Sequence, residues 1–123
     1  MRIGELAELT GTSTRSLRYY EEQGLLSARR DAKGYREYDE ADLRAVREIR
    51  SLLAIGFGLE DTRPFVACLR AGGASGDSCP DSVAVYRRKL AEIDDCIDRL
   101  QAVRTQLARS IDRCSGERRC CPR

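Results

Sequence analysis

The sequence predicts a mostly α-helical protein with two parts, a compact N-terminal domain of short helices and a small hairpin, and then one long helix. Apolar residues recur at helical spacing in several short runs up to about residue 70, and each run ends near a glycine. A segment of small residues, "RAGGASGDS" at 70–78, interrupts the pattern. Beyond it, apolar residues recur with a seven-residue period to Ile111, which is typical of a helix that packs along another helix.

The first two helices are short and lie close together in the sequence. Apolar residues at helical spacing between Ile3 and Leu9 predict the first helix, which should end at Gly11. A second helix should begin near Ser13, whose hydroxyl can cap it, and end at Gly24. Two short helices joined by a tight glycine-containing turn predict a helix-turn-helix.

The next segment, "SARRDAKGYREY", has the pattern of a hairpin-like wing. Residues between Asp31 and Gly34 form a turn, and the arms on both sides are short and alternate in character. Asp39 should then cap a third helix that stops at Gly56. A fourth helix follows, with Pro64 in its first turns or at its start.

The long helix carries one apolar stripe on an otherwise charged surface. Because such a stripe has to be covered, it predicts a two-helix coil between two chains, parallel or antiparallel. Arg104 is the only polar residue at an inner a position. The stripe has Leu90, Ile97 and Ile111 at position a and Tyr86, Ile93, Leu100 and Leu107 at position d.

Composition and charge exclude several classes of protein. The chain has 123 residues and a net charge of +2, but residues 15–36 hold six basic and three acidic side chains, a modest basic patch. No segment approaches about 20 consecutive apolar residues, so we expect no membrane contact and a cytoplasmic location. The chain has no histidine and no phosphate-binding glycine loop, so an enzyme is not expected.

The six cysteines are the candidates for metal chemistry, since histidine is absent. In a reducing cytoplasm they are expected to be free thiols or metal ligands rather than a disulfide framework. Cys68 should be a small buried apolar residue, and Cys96 should pack or face solvent beside the stripe. Cys79 precedes Pro80 and is expected at the N-cap of the long helix, while Cys114 lies just past its other end.

Three stretches, "RSLRYYEEQGLL", "GYREYDEADL" and "RSLLAIGFGLED", are followed by a single long helix. In this order they resemble the MerR family of bacterial transcription regulators over nearly the whole chain. The resemblance implies a winged helix-turn-helix DNA-binding domain at 1–70 and a linker at 71–80. It further implies an antiparallel coiled-coil dimerisation helix at 81–113 and a C-terminal metal-binding loop at 114–123.

The resemblance also implies what the N-terminal domain binds. Members of this family bind a palindromic double-stranded promoter as homodimers, and their effector-bound form distorts the DNA so that RNA polymerase holoenzyme can use it. Arginines suit phosphates and base edges, and glycine allows close backbone approach, although helix periodicity must leave one of the two adjacent tyrosines in the core. The DNA-contacting residues implied are Ser13, Arg15, Arg18, Tyr20, Arg30, Gly34, Tyr35 and Arg36.

Cys79 and Cys114 are the main candidates for metal ligands. The helix between them is about 48 Å long at roughly 1.5 Å per residue, so the two cannot meet within one chain. In an antiparallel dimer, Cys79 of one chain falls beside Cys114 of the other. This arrangement predicts two symmetry-related sites, each completed by a cysteine of the terminal loop, with Cys121 preferred and Cys120 as the alternative.

The cysteine spacing resembles the family's sensors of soft divalent metals (mercury, cadmium, lead or zinc), whereas its copper(I) sensors carry serine at the position of Cys79. The charge of the site favours the same choice. A 2+ ion with three thiolates has a net charge of −1, whereas a 1+ ion has that charge with only two thiolates, so a third cysteine favours the divalent ion. The expected effector is therefore a soft divalent metal ion, and no organic cofactor is expected.

Three alternatives stay open. The chain could be a copper(I)-responsive regulator, or a metal-buffering protein that no longer uses its DNA-binding fold. It could also be a thiol-redox regulator in which Cys114 forms a loop disulfide with Cys120 or Cys121. The iron–sulfur branch of the family has four clustered cysteines in the C-terminal loop and fits poorly, because this loop holds three.

Overall fold

Residues 1–117 are described here from a computed structural model of the chain. They fall into two compact units, Met1–Tyr86 and a second unit that begins at Arg87. The prediction of a mostly helical protein with one small hairpin is confirmed over these residues. The elements are α1 (Ile3–Thr10), α2 (Thr14–Glu22), β1 (Arg29–Arg30), β2 (Arg36–Glu37), α3 (Glu40–Ala54), a 3₁₀ turn (Glu60–Thr62), α4 (Arg63–Arg70) and α5 (Pro80–Glu117).

The turn between α1 and α2 has the residues that its geometry requires. Gly11 follows α1 with a φ of 68°, in the left-handed region that glycine adopts without a steric penalty. Ser13 is the N-cap of α2, and its hydroxyl oxygen accepts a hydrogen bond from the amide of Ser16 at 3.1 Å. The predicted signals of the helix-turn-helix are therefore confirmed.

The wing is also present as predicted. β1 and β2 pair antiparallel, with Arg30 opposite Arg36. The carboxylate of Asp31 closes the turn by accepting a hydrogen bond from the amide of Tyr35 at 3.0 Å. Gly34 supplies the positive φ of 84° that the turn needs.

α3 begins in a capping box and joins the other helices of the first unit. Asp39 and Asp42 each accept a hydrogen bond from the other's backbone amide. Asp42 is buried and also pairs with Arg70 at 3.0 Å, which fixes the start of α3 to the end of α4. The core around α3 contains Leu6, Leu17, Tyr20, Leu25, Leu26, Tyr38, Leu43, Ala45, Val46, Ile49 and Val66.

A second apolar cluster extends the first unit past the predicted linker. Val85, in the first turns of α5, is buried with Leu52, Phe57 and Phe65. The ring of Tyr86 lies edge-on to the rings of Phe65 and Phe57, at centroid distances of 5.0 and 6.0 Å. The sequence pattern assigned Tyr86 to the stripe of the long helix, but these aromatic contacts pack its partly buried ring against the second apolar cluster.

α5 is longer than the helix predicted at 81–113. It runs over 38 residues to Glu117, so Cys114 lies on a helix rather than in a loop. Between Leu90 and Ile111, the inner a and d side chains of the stripe are 46% to 66% exposed in the single chain. No helix within residues 1–117 is long and apolar enough to cross a membrane.

Candidate functional site

α2 and the wing form a basic groove on the surface of the first unit. Arg18 reaches the groove from α2, and Arg30 and Arg36 reach it from the paired strands. Guanidinium groups collected on one concave surface suit anionic phosphate oxygens. The residues that line the groove are Arg2, Ile3, Arg18, Arg30, Gly34, Tyr35 and Arg36.

Hydrogen bonds within the chain hold two of these arginines in place. Arg30 donates to the carbonyl oxygen of Gly34 at 3.0 Å, across the turn of the wing. Arg36 donates through Nε to Oε2 of Glu21 on α2 at 3.1 Å. The hydroxyl of Tyr38 donates to the other oxygen of Glu21 at 3.3 Å. Glu21 therefore connects the second strand of the wing to α2 and fixes the spacing of the two walls of the groove.

Ser13 and Arg15 lie at the start of α2 and outside the groove. The side chain of Ser13 is occupied as the helix cap and also donates to the hydroxyl oxygen of Ser16 at 3.0 Å. Arg15 and Arg18 are exposed, and within the described part of the chain neither forms an ion pair with a carboxylate. Their charge is available to an external anion.

Tyr20 was predicted to contact DNA, but its side chain is buried in the structure. Leu17 and Tyr20 lie three residues apart on one side of α2, and both join the core, so Tyr20 is only 6% exposed. Burial raises the pKa of the Tyr20 hydroxyl, although the charge of Arg50 opposes the shift. The neighbouring Tyr19 is 50% exposed. Tyr20 is therefore removed from the candidate DNA contacts, and Tyr19 is the accessible tyrosine of the pair.

Arg2 is a groove residue that sequence analysis missed. Its guanidinium lies 4.9 Å from the centre of the Tyr35 ring and 2.6 Å from the carboxylate of Asp31. Desolvation raises the pKa of Asp31, but hydrogen bonds from the amides of Tyr35 and Lys33 and the charge of Arg2 outweigh it, so the pKa is below its ordinary value. These contacts join residues far apart in the chain, and the positive charge of Arg2 was its only sequence signal.

Cys79 lies at the predicted N-cap of α5. Its carbonyl oxygen accepts hydrogen bonds from the amides of Ser82 at 3.1 Å and Val83 at 3.3 Å. Its sulfur, however, forms a disulfide with Cys68, with the two Cα atoms 5.9 Å apart. The expectation that the cysteines are free thiols or metal ligands is therefore wrong for this pair. Sequence analysis missed this disulfide, because the pairing depends on how the linker turns between α4 and α5.

The other predicted ligands lie in the second unit or beyond the described residues. Cys114 is a free, partly buried thiol on α5, on the helix face that also presents Leu107 and Ile111. Cys120 and Cys121 fall outside residues 1–117. Within those residues, no three cysteine, aspartate or glutamate side chains are grouped to hold a metal ion. A thiolate is a ligand that soft metal ions prefer, and Cys79 can supply one only when its disulfide is reduced.

Comparison with protein families identifies the class of the chain. A family described as "MerR HTH family regulatory protein" matches residues 1–67, and one described as "MerR, DNA binding" matches residues 43–109. The chain belongs to the MerR family. Both matches together span the MerR helix-turn-helix, the wing and most of α5, so MerR membership makes this chain a DNA-binding transcription regulator.

Individual relatives agree with the MerR assignment. The HTH-type transcriptional regulator HmrR of Rhizobium leguminosarum bv. viciae is 32% identical over 123 residues, covering 99% of this chain and 93% of the relative. The structure of the transcription regulator PbrR691 from Ralstonia metallidurans CH34, in complex with lead(II), has a TM-score of 0.71 at 26% identity, covering 88% and 82% of the two chains. HiNmlR, a MerR family regulator bound to promoter DNA, has a TM-score of 0.58 at 25% identity, covering 84% and 76%.

Proposed function

We propose that this protein is a metal-responsive transcriptional regulator. It binds a palindromic promoter as a homodimer and activates transcription by distorting the DNA when a soft divalent metal binds cysteines across the dimer. The proposal rests on α5, a long helix with an exposed apolar stripe. Cys79 directly precedes this helix, and Cys114 lies near its other end. The likeness to PbrR691, whose structure contains lead(II), supports the same effector class.

The basic groove supports DNA binding by the first unit. A recognition helix in the major groove and a wing on the backbone would use Ser13 and the basic residues for phosphates and base edges. Tyr19 takes the place of Tyr20 in this set. The likeness to HiNmlR bound to promoter DNA supports a promoter as the partner. The proposed contacts are Ser13, Arg15, Arg18, Tyr19, Arg30, Gly34, Tyr35 and Arg36.

The exposed stripe of α5 supports an antiparallel homodimer. Side chains such as Leu100, which is 64% exposed, and Ile111, which is 66% exposed, would be covered by the same residues of a second chain. Fully burying a side chain of this size stabilises an interface by about 1.5–3 kcal/mol. An antiparallel arrangement would bring Cys79 of one chain to Cys114 of the other, which neither chain achieves alone.

The ligand set supports a soft divalent ion (mercury, cadmium, lead or zinc). Two of its members would be Cys79 and Cys114, and the third would be Cys121, with Cys120 as the alternative. Three thiolates and a 2+ ion would have a net charge of −1. The positive end of the α5 dipole would stabilise the Cys79 thiolate. The effector-bound dimer would act in the cytoplasm with RNA polymerase holoenzyme at the promoter, without an organic cofactor and without enzymatic activity.

A titration of fully reduced protein with cadmium(II) tests this function. We expect about one ion per subunit, with three thiols consumed and with the ultraviolet charge-transfer absorption of thiolate–cadmium bonds. Cys79→Ser should abolish the tight site, and Cys96→Ser, which changes an exposed free cysteine of α5, should leave it intact. Tight binding retained in Cys79→Ser would refute the ligand set, and preference for copper(I) with two thiols would favour the monovalent alternative.

A further inference from the structure

The disulfide joins a buried cysteine to an accessible one. Cys68 is 3% exposed near the end of α4, whereas Cys79 is partly exposed at the start of α5. Cys79 is also the residue that the proposed metal site needs as a thiolate. A disulfide sulfur is not a thiolate, so the two uses of Cys79 exclude each other.

Backbone contacts hold the linker between these two cysteines in place. The amide of Gly73 donates to the carbonyl oxygen of Cys68 at 2.9 Å, which turns the chain back over α4. A Cβ at Gly73 would lie 2.8 Å from both that oxygen and the Cys68 sulfur, so only glycine allows this approach. The buried Ser82 hydroxyl donates to the carbonyl oxygen of Gly76 at 2.5 Å, which fixes the linker to the first turn of α5.

The surroundings of Cys68 can also accommodate its reduced form. The sulfur lies 3.5 Å from the carbonyl oxygen of Ser75 and 3.3 Å from the hydroxyl oxygen of Ser78. Both oxygens can accept the proton of a thiol, so a reduced Cys68 would not be left as an unpaired buried polar group. The surroundings of Cys68 therefore suit a thiol as well as a disulfide.

We propose that the Cys68–Cys79 pair is a redox gate on the metal site. In the disulfide state Cys79 is not available to a metal ion, and the site retains at most the thiolates of Cys114 and of Cys121 or Cys120. In the dithiol state the Cys79 thiolate is available to bind the metal ion. This inference rests on the proposed function, because it assigns a regulatory chemistry to the same site.

The gate would close by thiol–disulfide exchange with a small disulfide such as glutathione disulfide. The Cys79 thiolate attacks one sulfur of that disulfide, forms a mixed disulfide and releases one thiolate. Cys68, as its thiolate, then attacks the Cys79 sulfur and releases the second. The two protons of the cysteine pair pass to the two released thiolates, so two cysteines are oxidised and one small disulfide is reduced to two thiols. Excess thiol reverses both steps, in keeping with the transient use of disulfides in reducing compartments.

The test compares the full-length wild type with Cys68→Ala after equilibration in glutathione buffers of increasing oxidised fraction. Acid quenching and peptide mapping report whether residues 68 and 79 are joined. In parallel, small thiols are removed without oxygen and the protein is titrated with cadmium(II). In the oxidising buffer, we expect the joined peptide in the wild type and at least about a tenfold loss of cadmium affinity, restored by reduction.

Variants distinguish a gate from other effects. Cys68→Ala should keep the cadmium affinity of the reduced wild type in the same oxidising buffer, and Cys68→Ser should do so if alanine disturbs the fold. Cys96→Ala is the matched control and should lose affinity on oxidation as the wild type does. Cadmium bound beforehand should lower the equilibrium fraction of the wild type in which residues 68 and 79 are joined, because coupling between two reactions at one sulfur is reciprocal.

Several results would overturn the gate. Failure to find residues 68 and 79 joined in any buffer would remove it, and so would a joined wild type that still binds cadmium tightly. A Cys68→Ala protein as sensitive to oxidation as the wild type would assign the effect to Cys120 and Cys121 instead. Loss of cadmium binding in reduced Cys68→Ala and Cys68→Ser would make Cys68 a ligand. If the reduced wild type binds no cadmium, the proposed function itself fails, which is visible before any oxidation.

Discussion

The two units of the chain differ in how far their apolar side chains are buried. In Met1–Tyr86, large side chains such as Phe65 and Ile49 are fully buried. In the unit that begins at Arg87, the inner a and d residues of the stripe, from Leu90 to Ile111, stay 46% to 66% exposed. The first unit has a core of its own, whereas the second has a face that only another surface can bury. Folding of one chain thus suffices for the basic groove, and the proposed metal site needs two chains.

The largest expected effect is on the core of the first unit. Phe65→Ala should lower the free energy of unfolding by about 3–5 kcal/mol, because it leaves a cavity beside Phe57 and Tyr86. Urea denaturation followed by circular dichroism, at one protein concentration, measures the change. Ile55→Ala, at an apolar residue of the same unit that is 66% exposed, is the control and should cost less than about 0.5 kcal/mol. Equal costs at the two positions would mean that the buried cluster is not the stabilising core.

The next effect concerns the stripe of α5. Leu100→Glu should weaken dimerisation at least about a hundredfold, because each chain would bring a carboxylate into the apolar interface. Sedimentation equilibrium measures the dimer dissociation constant. The neighbouring Arg99→Glu adds the same group outside the a and d positions and should change the constant little. A Leu100→Glu dimer as tight as the wild type would place the interface elsewhere.

A smaller effect is expected in the basic groove. Arg18→Ala should weaken binding to a DNA duplex selected from a random palindromic pool about tenfold. The slope of log affinity against log salt should also fall by about 0.9, the value for one lost phosphate contact. Fluorescence anisotropy over a salt series measures both. Arg44→Ala removes an exposed arginine of α3 outside the groove and serves as the control. If both variants behave alike, the groove is not the DNA surface.

The smallest effect is the acid sensitivity of the wing. The pKa of Asp31 is lowered in the folded chain from its ordinary value of 3.8. Its carboxylate therefore stabilises the wing when the pH is above 3.8, and this stabilisation is lost as the pH falls through the lowered pKa. Amide NMR shifts of Lys33 and Tyr35, which donate to Asp31, should report the loss. Asp31→Asn should remove the transition. A wild-type wing whose amide shifts do not respond to acid would contradict the role of Asp31.

Local signals in the sequence predicted most of the fold. The caps at Ser13 and Asp39 and the glycine at Gly34 act over a few residues, so their spacing determines the elements that they begin or turn. Heptad spacing likewise predicted the long helix, which runs to Glu117, past the bound at 113 that the family resemblance implied. Helix ends are set by a few weak interactions, which is why spacing alone positions them poorly.

Contacts between distant residues were the part that the sequence did not reveal. Tyr86 fits the heptad by spacing, but its partly buried ring packs against Phe57 and Phe65 of the first unit. The ion pair between Arg2 and Asp31 and the disulfide between Cys68 and Cys79 form only when the chain folds back on itself. The choice between Tyr19 and Tyr20 depended on the rotation of α2 against the core, which adjacent tyrosines do not indicate.

Each proposed metal site takes ligands from both chains, and mixed dimers can show whether it does. Cys79→Ser and Cys114→Ser homodimers should both lack tight cadmium(II) binding. A heterodimer of the two variants, isolated with different affinity tags, would have one site with both defects and one site with neither. We expect one tight cadmium ion per heterodimer, with three thiols consumed. No tight ion in the heterodimer would contradict a site shared between chains.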